Sequence, residues 1–238
     1  MLERRQIELT PEVTLAQLVF WGEPENIPIQ EYIPVGTSSA EVFVEILSRN
    51  RDIKKIYYST FDPNDSSAIP TEQMQRVRNL DVNEVTKDSL LQLSDGIVAS
   101  TKEVAGVDPE IILRQQALAV SSKVALVNGD TGHIPMFDFV VLKSELGFER
   151  IMQLLSNTRG VILSTDRSYH FMGFEILDTK EWEDLMRKYQ EQELLRTDGP
   201  LFDLGYLTDS LIRGFAALRL FGYPGTKKEE DPKVVRVI

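Results

Sequence analysis

Ser168 and His170, two positions apart, are the first side chains in this sequence whose types and spacing could do chemistry. On a strand, residues two apart share a face, so a hydroxyl and an imidazole would stand side by side directly after the short connection Thr165-Asp166-Arg167. With Arg167 beside them they suit a phosphate or sugar oxygen. A partly buried histidine hydrogen-bonded to its neighbour fits the same spacing. Asp138 is a second candidate, because it interrupts the apolar stretch Met136-Phe137-Asp138-Phe139-Val140-Val141. An ionised carboxylate is costly to bury there without a partner or a metal; the solvent-facing residue of an edge strand accounts for it too. Asp203, after the turn at Gly199-Pro200, could bring another carboxylate to the same place. Arg213 and Arg219 interrupt the apolar run Leu211–Phe221, as arginines reaching inward or across a cleft would, or as a solvated face would. Lys227 and Lys228 sit in a charged loop and carry no signal by themselves.

Composition narrows the chemistry. There is no cysteine, so neither a disulfide nor a thiolate zinc site is available. With His133 and His170 the only histidines, a bound metal would be held mostly by carboxylates, which selects magnesium or manganese and not zinc. The formal net charge of -11 repels a polyanion unless basic residues gather on one face. Hydrophobic residues at 42% and charged residues at 26% are those of a globular protein, so wholesale disorder is not expected. No apolar run approaches the roughly 18 to 20 residues of a membrane span. Glu3, Arg4, Arg5 and Glu8 rule out a secretory signal over Met1–Leu9, and a cytoplasmic location is expected. Glycine-rich phosphate loops of the GxGxxG and GxxxxGK[ST] types do not occur.

The elements that would position these residues follow from caps and periodicity. Residues 1–36, with four prolines at 11, 24, 28 and 34, read as an irregular arm with a short strand or two. Ser38 with Glu41 is a capping box that predicts a helix over 39–49, with a strand from Lys55 to Thr60 behind it. The loop after Phe61 leads into a poorly periodic stretch, and Asp108 before Pro109 predicts a helix through about Val120. Val124–Val127 and Met136–Leu142 read as strands joined by a loop containing Asn128-Gly129 and Thr131-Gly132. A helix follows Ser144, then a hairpin of Val161–Ser164 and Ser168–Leu177, then a helix capped by Asp178 and Glu181 and stopped before Asp198-Gly199-Pro200. A short apolar stretch, Leu201–Tyr223, and a terminal strand, Val234–Ile238, complete the chain. This order predicts an α+β fold, an antiparallel or mixed sheet with helices on one side, in two parts: an arm and α/β subdomain over 1–119 and a core over 120–238.

In order, three of these elements resemble the motifs of the archaeo-eukaryotic primase superfamily, to which the primase-polymerases belong. They are the strand Ile134-Pro135-Met136-Phe137-Asp138-Phe139, the Ser-x-His of Ser168-Tyr169-His170-Phe171, and the hydrophobic-Asp of Phe202-Asp203, followed by Arg213 and Arg219. The likeness covers about residues 120–238. It implies a primase-like core with an RRM-like C-terminal half, in which Asp138 and Asp203 ligate magnesium or manganese and act with His170 as catalytic residues. Arg167, Ser168, His170, Arg213 and Arg219 would then face a nucleoside triphosphate. The reaction implied is nucleotidyl transfer on a DNA or RNA template, in replication, repair or defence and within a larger protein assembly. A catalytically degenerate module that binds nucleotide or nucleic acid without turnover is the alternative. The first motif departs from the family, which has carboxylates at alternate positions: both alternate neighbours of Asp138, Met136 and Val140, are apolar, the mark of a derived, single-Asp branch.

Overall fold

Strand β3, Ala117–Leu126, organises the larger of two antiparallel sheets. On one side it pairs with β1, Ile53–Phe61, and β1 with β2, Arg78–Asp81. On the other side β3 has two partners in succession. Its first half pairs with β9, Ala217–Arg219, and its second with β4, Thr131–His133, which in turn pairs with β8, Leu177–Asp178. Ser122 sits where the partner changes: its N–H donates to Ala216, its carbonyl accepts from Ile134 and its hydroxyl accepts from the Ala216 N–H. Both backbone groups of Ser122 and the Ala216 N–H are thereby satisfied where the strand switches neighbours.

The second sheet has four strands in the order β10, β6, β7, β5. They are Lys233–Val237, Gly160–Ser164, Tyr169–Gly173 and Met136–Phe139. Helices α1 Ser39–Arg49, α2 Glu145–Leu154, α3 Thr179–Leu194 and α4 Leu204–Arg213 pack around the sheets, and among the described residues 87–94 are helical as well. The computed structural model describes residues 33–61, 77–94, 117–223 and 228–238, all in the unit Ile33–Ile238. The arm over 1–32, the loop after Phe61 and the start of the helix expected at Asp108 lie outside the described residues. Among the described residues no helix is long and apolar enough to cross a membrane.

The α+β class and the antiparallel pairing are as the sequence predicts, and so are three helix starts. Ser38 and Glu41 close a capping box on α1, Asp178 and Glu181 close another on α3, and Ser144 caps α2. Five expectations are corrected. There are two sheets instead of one, because β3 and β7 belong to different layers with a cleft between them. Ala117–Val120 is strand and not the end of a helix, since pairing with β1 and β9 outweighs the local preference of its alanines. Ser168–Leu177 is not one strand: β7 ends at Gly173, and Leu177 pairs in the other sheet. The stretch Leu201–Tyr223 contains α4 and β9, and Thr131-Gly132, read as loop, is β4. Position 119 falls inside β3, so the larger sheet draws strands from both sides of the boundary expected there.

Aromatic packing seals the core under the smaller sheet. Phe137 meets Phe171, Tyr189 and Phe202 at centroid distances of 5.8, 4.9 and 5.5 Å. Trp182 of α3, fully buried, lies against His133 of β4, rings 4.5 Å apart and 17° from parallel. The His133 Nδ1 faces the Ser122 hydroxyl at 3.4 Å. Burial, with the charge of Lys123 adding, lowers the pKa of His133 to about 4. The unfolded chain, titrating near 6.5, therefore takes up this proton first on acidification. Stability from the neutral imidazole is complete above about pH 6.5 and is lost as the pH falls toward 4. Between pH 7 and pH 5 the loss due to His133 is expected to be about 2 kcal/mol. Urea titrations at the two pH values check this, because His133→Phe keeps the stack on Trp182 and removes that part of the acid sensitivity.

Candidate functional site

The cleft between the sheets collects most of the residues singled out from sequence. Antiparallel pairing of β5 with β7 sets Asp138 opposite His170, and the imidazole Nε2 lies 3.6 Å from a carboxylate oxygen of Asp138. From the facing sheet, Arg219 on β9 reaches in, and Arg213 and Tyr206 come from α4. Lys228 enters from the chain segment before β10. These side chains line a cavity of about 200 Å³ whose far wall is Ser59 and Ala119. A second cavity of about 230 Å³ shares Asp138, His170, Arg219 and Lys228 and extends along the β6–β7 turn past Thr165, Asp166, Arg167 and Ser168. Side by side they form one cleft of the size that takes small ligands.

The charges explain one another. Asp138 keeps 41% of its side-chain surface open, but that surface faces the cleft and not bulk water. Burial pushes its pKa up to about 6; Lys228 and Arg219 oppose the shift and the charge of Asp203 adds to it. His170 is buried, and burial, with repulsion from Arg219 and Lys228, holds it well below its ordinary value, so it is neutral. Its Nδ1 has no hydrogen-bond partner among the described residues. Lys228 and Arg219 are both lowered by burial, Arg219 from a position only 5% exposed.

Arg219 is held by groups that sequence inspection passes over. Its guanidinium pairs with Asp166 of the β6–β7 turn and donates to the carbonyls of Phe221, at 3.1 Å, and Glu230, at 2.7 Å. Asp166 also accepts the Glu230 N–H at 2.9 Å, so the ion pair grips that peptide from both sides. The Gly222 N–H donates to Asp231 and the Tyr223 N–H to the Lys228 carbonyl. A β-carbon at Gly222 would run into the Glu229 carbonyl, so only glycine lets the two strands of this strap approach so closely. The strap delivers Lys228 to the cleft. Besides Tyr206 and Ser59 of the lining, sequence reasoning missed the charged site residues Asp166 and Lys228. Their partners lie far away in sequence, and only the opposed aspartate and arginine, each alone among apolar neighbours, hinted that counter-charges were needed.

The remaining residues behave differently from the expectation. Ser168 lines the second cavity, but its hydroxyl donates to the backbone carbonyls of Phe139, the last residue of β5, and of Val141 just beyond it, the latter at 2.8 Å, so it pins the end of β5 to the turn. Arg167 is exposed at the rim. Asp203 lines neither cavity: it is exposed and caps α4, accepting from the N–H groups of Gly205 at 2.8 Å and Tyr206 at 3.4 Å. It is nevertheless close to Asp138. A β-bridge pairs their neighbours, Phe139 and Phe202, and the charge of Asp203 is felt at Asp138.

This donor set does not fit a two-cation centre. Met136, at the alternate position, is apolar and fully buried, and the Asp203 carboxylate is engaged at a helix N-terminus. Among the described residues no three His, Cys, Asp or Glu side chains are grouped to hold an ion. What the cleft does concentrate is positive charge. Arg167, Arg213, Arg219 and Lys228 line it against two carboxylates, Asp138 and Asp166, in a chain whose net charge is -11. Such a place attracts a compact anion and holds it by charge-assisted hydrogen bonds.

Comparison with known families converges on the same part of the chain. A family model described as AEP-like, archaeo-eukaryotic primase 1D-like, matches residues 109–231, which include every residue lining the cleft except Ser59. No curated protein and no solved structure matches the chain.

Proposed function

This chain belongs to the AEP-like family, archaeo-eukaryotic primase 1D-like, and on that premise we propose that its inter-sheet cleft binds a nucleoside triphosphate by the phosphate tail. The observation that carries the reading is the convergence of Arg213, Arg219 and Lys228, from three different elements, on one cavity of an otherwise acidic protein. Three cations fixed on separate elements cannot relax away from one another, so an anion between them relieves their repulsion as well as gaining its own contacts. Nucleotidyl transfer on a nucleic-acid template with magnesium or manganese is a second reading, favoured by the Phe139–Phe202 bridge, which brings the adjacent Asp203 near Asp138.

Calorimetric titration with each of the ribo- and deoxynucleoside triphosphates tests the first reading. Binding is expected, and Arg213→Gln is expected to weaken it about tenfold, the loss of one charge-assisted contact. If no triphosphate binds, the reading is wrong. Primer extension with magnesium or manganese separates the second: product that disappears in Asp138→Asn supports transfer, whereas intact binding without product leaves a nucleotide-binding module.

A further inference from the structure

We propose that the cleft holds the phosphates of its nucleotide without a divalent cation, Lys228 and Arg219 supplying beside Asp138 the positive charge that a metal would bring. This rests on the nucleotide reading above and concerns how the same site is neutralised. Metal-bridged phosphate sites gather carboxylates around the ion. Here the groups around Asp138 are of the opposite kind. Lys228 and Arg219 line both cavities together with Asp138, so a divalent ion seated there would face two cations.

The other expected ligands are turned to different work. Asp203 holds the N-terminus of α4, and the position two residues before Asp138 carries a fully buried methionine. The cations, by contrast, are built in. Arg219 is locked by Asp166 and two carbonyls, and the same ion pair clamps the Glu230 peptide two residues beyond Lys228. A lysine presented from a clamped backbone is a point charge suited to phosphate. Its partial burial strengthens that attraction, because less water screens it.

The test is nucleotide titration in excess EDTA and, separately, with magnesium or manganese, on wild type, Lys228→Met and Asp138→Asn. The Kd in EDTA is expected to lie within about threefold of that with metal, and Lys228→Met to weaken the EDTA value by about tenfold or more, one fixed charge on a desolvated phosphate. Asp138→Asn is isosteric and removes an anion from beside the phosphates, so it is expected to tighten binding in EDTA; at a metal site the same change would abolish binding. Binding seen only with magnesium or manganese, and lost in Asp138→Asn, overturns the inference and leaves the nucleotide reading standing. Absence of binding under every condition overturns both.

Discussion

Asp166→Ala is expected to lower the stability of the fold by about 3 kcal/mol, the cost of leaving the buried Arg219 without its partly buried carboxylate partner. Arg219 is 5% exposed, and without Asp166 its charge keeps the carbonyls of Phe221 and Glu230 and the more distant Asp138. The Glu230 N–H, which donates to Asp166 at 2.9 Å, loses its acceptor as well. A wild-type denaturation midpoint in urea for Asp166→Ala would refute the assignment of a structural ion pair. Removing both charges is different: Asp166→Leu with Arg219→Met exchanges a desolvated pair for apolar contact, and most of the stability is expected to return. Nucleotide affinity should not return with it. The double variant is folded but lacks the cation at the centre of the cleft, and its affinity is expected to be lower by about tenfold or more. Stability and binding are thereby separated at one pair of residues.

Local signals and distant ones were legible to very different degrees. The capping boxes at Ser38 and Asp178 and the cap at Ser144 marked helices correctly, because each is written within four residues and needs nothing else. The hairpin of β6 and β7 was equally local. Helix α4 was missed although Asp203 is its cap. A lone Asp between apolar residues has two meanings, ligand or cap, and with tyrosine in place of Glu or Gln at the third helical position nothing local decided between them. Gly214, in the left-handed conformation at φ 74°, ends that helix and turns the chain into β9; its role was just as ambiguous from sequence.

The site shows the same division. Of its strand residues, Asp138 stood out as a polar residue in an apolar strand and His170 by its spacing from Ser168, and the placement of the two opposite each other follows from pairing. The counter-charges were not found. Arg219 and Asp166 are separated by 53 residues and Glu230 and Asp166 by 64, distances over which no periodicity carries information. Lys228 looked like one charge in a charged loop because its placement depends on that clamp. Ser168 shows the converse: the motif is legible, but the hydroxyl's use on the carbonyl of Val141 is set by how β5 ends, which spacing alone does not reveal.

Phe202→Ala is the second large effect, and it ties the core to the cleft. Phe202 is 2% exposed and packs on Phe139, Tyr189 and Phe137 at centroid distances of 4.9, 5.2 and 5.5 Å. Truncating such an aromatic removes its burial and leaves a cavity, an expected loss of about 3–5 kcal/mol. Trp182→Ala should cost about the same, since Trp182 is fully buried against His133. The two differ in what they hold. Phe202 forms the β-bridge to Phe139, and one turn later the same chain presents Tyr206, whose hydroxyl donates to the Met136 carbonyl at 3.1 Å, and then Arg213. Loosening that anchor lets the start of α4 drift from β5, so Phe202→Ala should weaken nucleotide binding even at a temperature where the protein is fully folded. Trp182→Ala, on the far side of α3's contact with β4, should leave affinity unchanged within about twofold, as independent sites do. Equal affinities in the two variants would mean that the aromatic cluster stabilises the fold without setting the geometry of the cleft, and that α4 is positioned by other contacts.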